Sequence, residues 1–510
     1  MTNHLASTLG LGDPARADRP FAALADGRAY TYADVDAVSA RFAAALVSLG
    51  VAPGDRVAAQ VEKSIEALML YLATLRAGAV FLPMNTAYTP SEVGFFLKDA
   101  EPALFVCDPA RRDALAPVAE GAGTRLETMG VWQPLSLDSG SFFERVPEEA
   151  DVEDVARGPG DLAAILYTSG TTGRSKGAML THENLASNAR TLADVWAFTA
   201  DDVLIHALPI YHTHGLFVAT NTTMVAGASM VWLPKFDADA VLDAMEAGAT
   251  ALMGVPTFYT RLLASERLAR ERAASMRLFV AGSAPLLPET HRAFREATGH
   301  AILERYGMTE ASMICSNPYE GERRAGTVGR ALPGIEVEAR DAETDAALGA
   351  DEIGVLHVRG PNVFKGYWKL PEKTAEELYE DGWFRTGDLA SVAEDGVVTI
   401  VGRDKDLVIS GGFNVYPREV EEAIDALDGV AESAVIGVPH PDLGEGVVAV
   451  VVPERGAPRD GEAIVAALKD NLARYKQPKR VVFADHLPRN TMGKVQKKDL
   501  RETHAGLFQG

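Results

Sequence analysis

The sequence predicts an α/β protein in two parts: a large N-terminal domain of layered α/β sheets, then a small α+β unit of about a hundred residues. Three observations point there. The first half alternates short β-branched runs with helical patterns, as parallel sheets with crossover helices do. The tail changes to a denser mixture of strands and amphipathic helices. The charged turn GRDKD at 402–406 separates the two. A length of 510 residues also exceeds that of an ordinary single domain.

Taken in order, Thr31 is placed to cap a helix that runs toward Leu49, with Gly50 to stop it. Residues 56–61 read as a strand, 65–76 as a helix ending at Gly78, and 80–84 as a strand. Pro90 opens a helix through Leu97, and 104–107 is a further strand. Residues 108–160 are rich in Gly, Pro and acids and read as surface loops and short elements. In the tail, Pro417 suits a first helical turn, after which Val420, Ile424 and Leu427 share a face. Strands are expected at 433–438, 447–452 and 481–484, with a helix through Ile464, Leu468 and Leu472. No internal repeat and no low-complexity segment is visible.

Composition narrows the function. Hydrophobic residues make up 47% and charged residues 24%, as in soluble globular proteins. The net charge is −22, from 49 basic and 71 acidic side chains, which argues against nucleic acid or an anionic membrane as partner. Anionic small molecules need only a locally positive pocket. The two cysteines, Cys107 and Cys315, form no CxxC pair, so neither a disulfide framework nor a structural zinc is expected. No basic start followed by an apolar core opens the chain, and no apolar run approaches a bilayer span. A cytoplasmic location is therefore expected.

The most informative segment is YTSGTTGRSKGAML at 167–180. A strand ends near Tyr167, and the loop then carries Thr168, Ser169, Gly170, Thr171, Thr172, Gly173 and Lys176. Glycines let backbone N–H groups approach an anion, hydroxyls add donors, and lysine adds a mobile charge. The spacing differs from the common nucleoside-triphosphatase loop, since Lys176 is followed by Gly177. Alone, such a run is more often a flexible loop than a phosphate site.

This loop resembles the signature of the adenylate-forming superfamily, which includes acyl-CoA synthetases, peptide-synthetase adenylation domains and luciferases. Its companions follow in order: YGMTE at 306–310, TGD at 386–388, GRDKD at 402–406, GGFNVYP at 411–417 and NTMGKVQ at 490–496. The resemblance spans nearly the whole chain. It implies ATP, Mg2+ and CoA as the small molecules handled, and a C-terminal domain that rotates about a hinge between two half-reactions. On that basis the expected units are 1–403 and 404–510, with Lys405 at the hinge.

The resemblance also assigns roles. Glu310 and Thr168 would hold Mg2+, a hard cation that prefers oxygen. Asp388 would accept hydrogen bonds from the ribose hydroxyls, and Arg403 would make a second nucleotide contact. Gly282, Ser283 and Ala284, with Glu304, Arg305 and Tyr306, would flank the adenine, and Thr309 would join the ATP site. Lys494 would bring a carboxylate and an anionic α-phosphate together by charge stabilisation. Its acetylation by a lysine acetyltransferase would remove that charge. Gly411, Gly412 and Phe413 would border the CoA pantetheine tunnel after rotation, and His212 would stand between acid and thiol. His214 reads as structural.

For the acid, the pocket is expected among 253–261, 281–285 and 306–313, including Ser283 and Met308. Arg261 and Arg323 stand out, because a second carboxylate needs a cation when buried. These stretches resemble those of malonyl-CoA synthetases, a branch of the same superfamily. That implies malonate, with some methylmalonate use since one methyl is weakly discriminated. Arg324 is a close alternative to Arg323. Other readings are a ligase for another short acid, an adenylation enzyme that loads a separate carrier protein, and an inactive relative kept for binding. The intact Thr168, Lys176, Glu310, Asp388, Arg403 and Lys494 argue against the last.

Overall fold

The computed structural model describes residues 2–131, 139–150, 152–168, 175–411, 413–469, 472–490 and 493–508. Two sheets with interleaved helices form most of the N-terminal part. A six-stranded sheet has the order Arg125–Thr128, Leu104–Cys107, Arg56–Gln60, Val80–Pro83, Leu162–Thr168, Lys176–Thr181. All its pairings are parallel except the last, a hairpin. A nine-stranded sheet has a parallel centre, in which Val203–His206, Ala251–Gly254, Leu278–Ala281 and Leu303–Met308 lie side by side.

Local chemistry explains the elements the site depends on. The helix Tyr32–Ser48 begins with a capping box between Thr31 and Asp34. Every residue of the mostly apolar helix Ile65–Arg76 is buried, its two charges included, Glu66 paired with Arg28 and Arg76 with Asp36 and Asp154. Tyr71 on it meets Phe81 and Phe217 and fixes the packing between layers.

The sequence reading of 108–160 needs correction. That stretch holds a helix, Arg112–Gly121, and a parallel edge strand, Arg125–Thr128. Pro117 interrupts the helical pattern, and a four-residue edge strand leaves little periodic signal.

A separate antiparallel sheet follows: Glu336–Arg340, Gly354–Arg359, Phe384–Val392 and Val398–Arg403. Its register sets Asp388 directly opposite Arg403. The tail then builds a five-stranded sheet around Val430–His440 and Gly444–Pro453. Alternate residues of these strands enter two cores. Val435, Val447 and Ala449 pack beneath the helix Pro417–Asp425, while Ile436, Val448 and Val450 meet Leu487 and Leu500. The sequence reading missed the helix Lys497–His504 that supplies Leu500, its one buried residue. Between the parts, Lys405 sits in the short turn Asp404–Asp406. Asp404 pairs with Arg385 at 3.1 Å on the N-terminal side, and Asp406 with Arg501 at 2.7 Å on the C-terminal side.

Candidate active site

The crevice outside the carboxyl ends of parallel strands is where such folds place ligands, and the strands here converge accordingly. Leu162–Thr168 ends at Thr168, which pairs across the hairpin with Lys176. The intervening Ser169, Gly170, Thr171, Thr172 and Gly173 lie outside the described residues. Leu303–Met308 ends two residues before Glu310. Glu310 is buried, and its backbone carbonyl accepts from the Phe364 N–H at 2.8 Å. The Thr168 hydroxyl donates to Glu310 Oε1 at 3.4 Å. The Tyr367 hydroxyl stands 3.1 Å from Glu310 Oε1 and 2.6 Å from Glu377 Oε2. Having one proton, it donates to one carboxylate at a time. Burial, then the Glu310 and Glu377 charges, hold that proton on the phenol.

These donors suit magnesium. No group of three or more His, Cys, Asp or Glu that could cage a metal occurs among the described residues. One carboxylate and one hydroxyl match an ion held mainly by substrate phosphates and water.

Asp388, expected at the ribose, is buried in a wall it shares with Arg403 and Tyr306. Its Oδ1 takes Arg403 Nε at 2.7 Å, and its Oδ2 accepts from the Tyr306 hydroxyl. Asp388 holds the Arg403 guanidinium more firmly protonated than usual. The C-terminal loop reaches this wall. An added Cβ at Gly493 would lie 3.8 Å from Thr257, on the helix Pro256–Leu263. Burial, then Arg403, lower the proton affinity of Lys494, while Asp388 and Glu310 oppose the fall. Lys494 and Arg403 are both exposed.

The arginines expected at the acid pocket have different surroundings. Arg261 is exposed on its helix, over the Phe236 ring. The guanidinium of Arg323 binds three backbone carbonyls, those of Pro318, Ala301 and Tyr319. Arg324 pairs with Asp395 at 2.7 Å. Arg323 and Arg324 thus have donors engaged within this chain, whereas Arg261 has only its ring contact. Arg305, expected from sequence beside the adenine, is a further arginine of this region. It is 4% exposed, and its Nε and Nη2 have no hydrogen-bond partner among the described residues. Burial pushes its guanidinium down to about 9, so it remains a cation at neutral pH. Gly282 lies against it, and an added Cβ would stand 2.4 Å from Arg305 Cζ, so any side chain there would displace the guanidinium.

Ser283 follows with φ +71°, a left-handed conformation that non-glycine residues adopt at a cost and often at functional sites. Its hydroxyl lies 3.2 Å from His214 Nδ1. His214, read from sequence as structural, is buried and contacts Ser283. It begins a π-helical turn, His214–Thr220, a form that is rare outside functional sites. Only glycine fits next, because a Cβ on Gly215 would meet the Pro209 carbonyl at 2.0 Å. His212 precedes the turn. Burial, then Lys494, lower its pKa to about 4, so its ring is neutral at physiological pH. Thr309 and His212 line a small cavity with Tyr88, Tyr167 and Tyr211. Ala284 and Met308 are half-buried at the rim.

Glu304 turns away: its Oε1 accepts from the Gly326 N–H at 3.3 Å and lies 3.9 Å from His291. Gly411 donates its N–H to the Leu443 carbonyl, and Phe413 is 57% exposed and stacks on Tyr475. Gly412 lies outside the described residues. Tyr367 and Glu377 were not singled out in the sequence, where a lone Tyr and a helix-end Glu carry no signal.

With this geometry in place, similarity to known proteins is decisive. Residues 14–368 match the AMP-binding enzyme family, and 419–494 match the AMP-binding enzyme C-terminal domain. The chain belongs to the AMP-binding enzyme family. It is 56% identical to ATP-bound MatB from Rhodopseudomonas palustris, each chain covered fully, with a TM-score of 0.96. Against the apo form of that protein the TM-score is 0.85. A malonate–CoA ligase of Arabidopsis thaliana is 33% identical over 94% of this chain and 85% of its own length. A feruloyl-CoA synthase of an Amycolatopsis species is 37% identical over 93% of this chain and 94% of its own. Family membership makes this an AMP-forming ligase fold. Relatives with different acids are about equally similar, so the acid must be argued from the pocket. Among the described residues no helix is long and apolar enough to cross a membrane.

Proposed function

We propose that this chain is an ATP-dependent malonate–CoA ligase that works through malonyl-AMP, with some methylmalonate use. One observation carries the acid assignment: Arg305 is a buried cation with two guanidinium nitrogens unpartnered, beside Ser283 and His214 and near Lys494. A buried charge without a partner is costly, and a carboxylate fork matches a guanidinium in two places. A monocarboxylic acid spends its one carboxylate on the reaction. A dicarboxylic acid has a second to offer Arg305. The malonate–CoA ligase similarity supports the same substrate.

In the first step a malonate oxygen attacks the α-phosphorus and diphosphate leaves. Lys494 would neutralise the approach of the two anions. Lys176 would hold departing phosphate charge, and Thr168 and Glu310 would hold Mg2+, which when bound neutralises the phosphates. Asp388 and Arg403 would take the ribose. In the second step the CoA sulfur attacks the acyl carbon, and AMP leaves with the former carboxylate oxygen. We place the two units at 1–403 and 404–510, hinged at Lys405, with Gly411, Gly412 and Phe413 turned to the thiol.

A panel assay tests this reading: CoA-dependent AMP release with malonate, methylmalonate, succinate, acetate and a medium-chain acid. Malonate is expected to lead, with methylmalonate second. A preference for acetate or the medium-chain acid would keep the ligase chemistry and remove the substrate assignment.

A further inference from the structure

Glu377 is a carboxylate that no role above requires, yet it sits at the centre of the phosphate side. It ends the helix Pro371–Glu377. Lys176 Nζ lies 3.2 Å from its Oε2 and packs over the Tyr367 ring at 3.9 Å. Lys373 approaches the other oxygen at 2.8 Å and also has Glu376 at 2.7 Å. The Tyr367 hydroxyl joins Glu377 to Glu310. The Glu377 charge reaches Lys405 as well, offsetting part of the fall that burial imposes there. The Lys176–Glu377 pair is well shielded, with 14% and 20% of the two side chains exposed, so salt screens it little.

A lysine ammonium cannot serve this carboxylate and a polyphosphate at full strength together. We propose that Glu377 is a positioning residue that competes with the phosphates of ATP and of diphosphate for Lys176, and that takes Lys176 back as diphosphate leaves. The proposal rests on the reading that Lys176 binds phosphate. It predicts that the native enzyme binds both ATP and diphosphate more weakly than the same site would without this carboxylate.

The test is Glu377→Gln, which keeps shape and a partner for Tyr367 and leaves Lys373 its contact with Glu376. The KM for ATP and the inhibition constant for diphosphate should both fall about fivefold, the scale of one partly shielded ion pair. The KM for malonate should stay as it is. In a Lys176→Ala background the substitution should have no further effect on either constant, which a merely structural role would not produce. An unchanged or raised KM for ATP in Glu377→Gln overturns the proposal, as does an equal fall in both backgrounds. If Lys176→Ala alone leaves ATP and diphosphate binding intact, the phosphate reading of Lys176 fails as well.

Discussion

Replacing Arg305 with methionine separates stability from function at this site. The guanidinium is buried, carries two unpartnered nitrogens, and lies over Gly282. Methionine is of similar length and fills irregular space without a charge. Losing a two-pronged contact to a carboxylate, and leaving that carboxylate buried without a cation, costs about 2–4 kcal/mol. At about 1.4 kcal/mol per tenfold, kcat/KM for malonate should drop about 30- to 900-fold. The KM for ATP should change little. Acetate, which has no second carboxylate, should lose nothing, so the preference between the two acids collapses. The fold should not suffer, because an unpaired buried cation is itself unfavourable. Thermal melting at neutral pH is expected at or above the parent's temperature. Steady-state AMP release with both acids, beside a melt, reads all of this. Malonate kinetics within about threefold of the parent, in a folded variant, would refute the argument. Arg261→Ala is the companion variant: if Arg305 alone takes the second carboxylate, malonate kinetics should hold in it.

Two more outcomes follow from charge placement. Lys494→Ala should abolish malonyl-AMP formation yet retain the thiol step from preformed malonyl-AMP; equal loss of both in rapid-quench assays would contradict that division. Asp425, in the C-terminal domain, is pushed up to about 7 by burial, with Glu421 and Glu432 adding to the effect, and its Oδ1 has no partner among the described residues. A carboxyl whose folded pKa is raised favours folding less as pH rises from about 4 through about 7. Asp425→Asn should therefore raise the melting temperature, by a few degrees at pH 8 and by less at pH 5. An equal shift at both values would remove the titration from the account.

Much of the fold was legible because its signals are local. Thr31 with Asp34, Gly78 after the helix Ile65–Arg76, and the apolar run Leu104–Cys107 each state their element within a few residues. The helix Arg112–Gly121 was hidden by Pro117, and Lys497–His504 by having one buried residue. The motifs that suggest a nucleotide site stand in short contiguous segments, such as 306–310 and 386–388, so they are visible without the fold. The surroundings of Arg261, Arg305 and Arg323 could not be read that way, because they depend on which face each element turns inward. Arg305 follows Glu304 on one strand, and the two point oppositely, Glu304 to His291 and Gly326, Arg305 to the pocket. Only the packed sheets decide that, and they also bring Glu377 to Lys176 from across the molecule.

The central claim is that malonate is activated on this chain as an adenylate before any thiol is involved. The most direct measurement is exchange of labelled diphosphate into ATP with CoA omitted. Exchange that requires malonate, and is weak with acetate, is the predicted result. No exchange with any acid, or ADP in place of AMP when CoA is restored, would contradict the account.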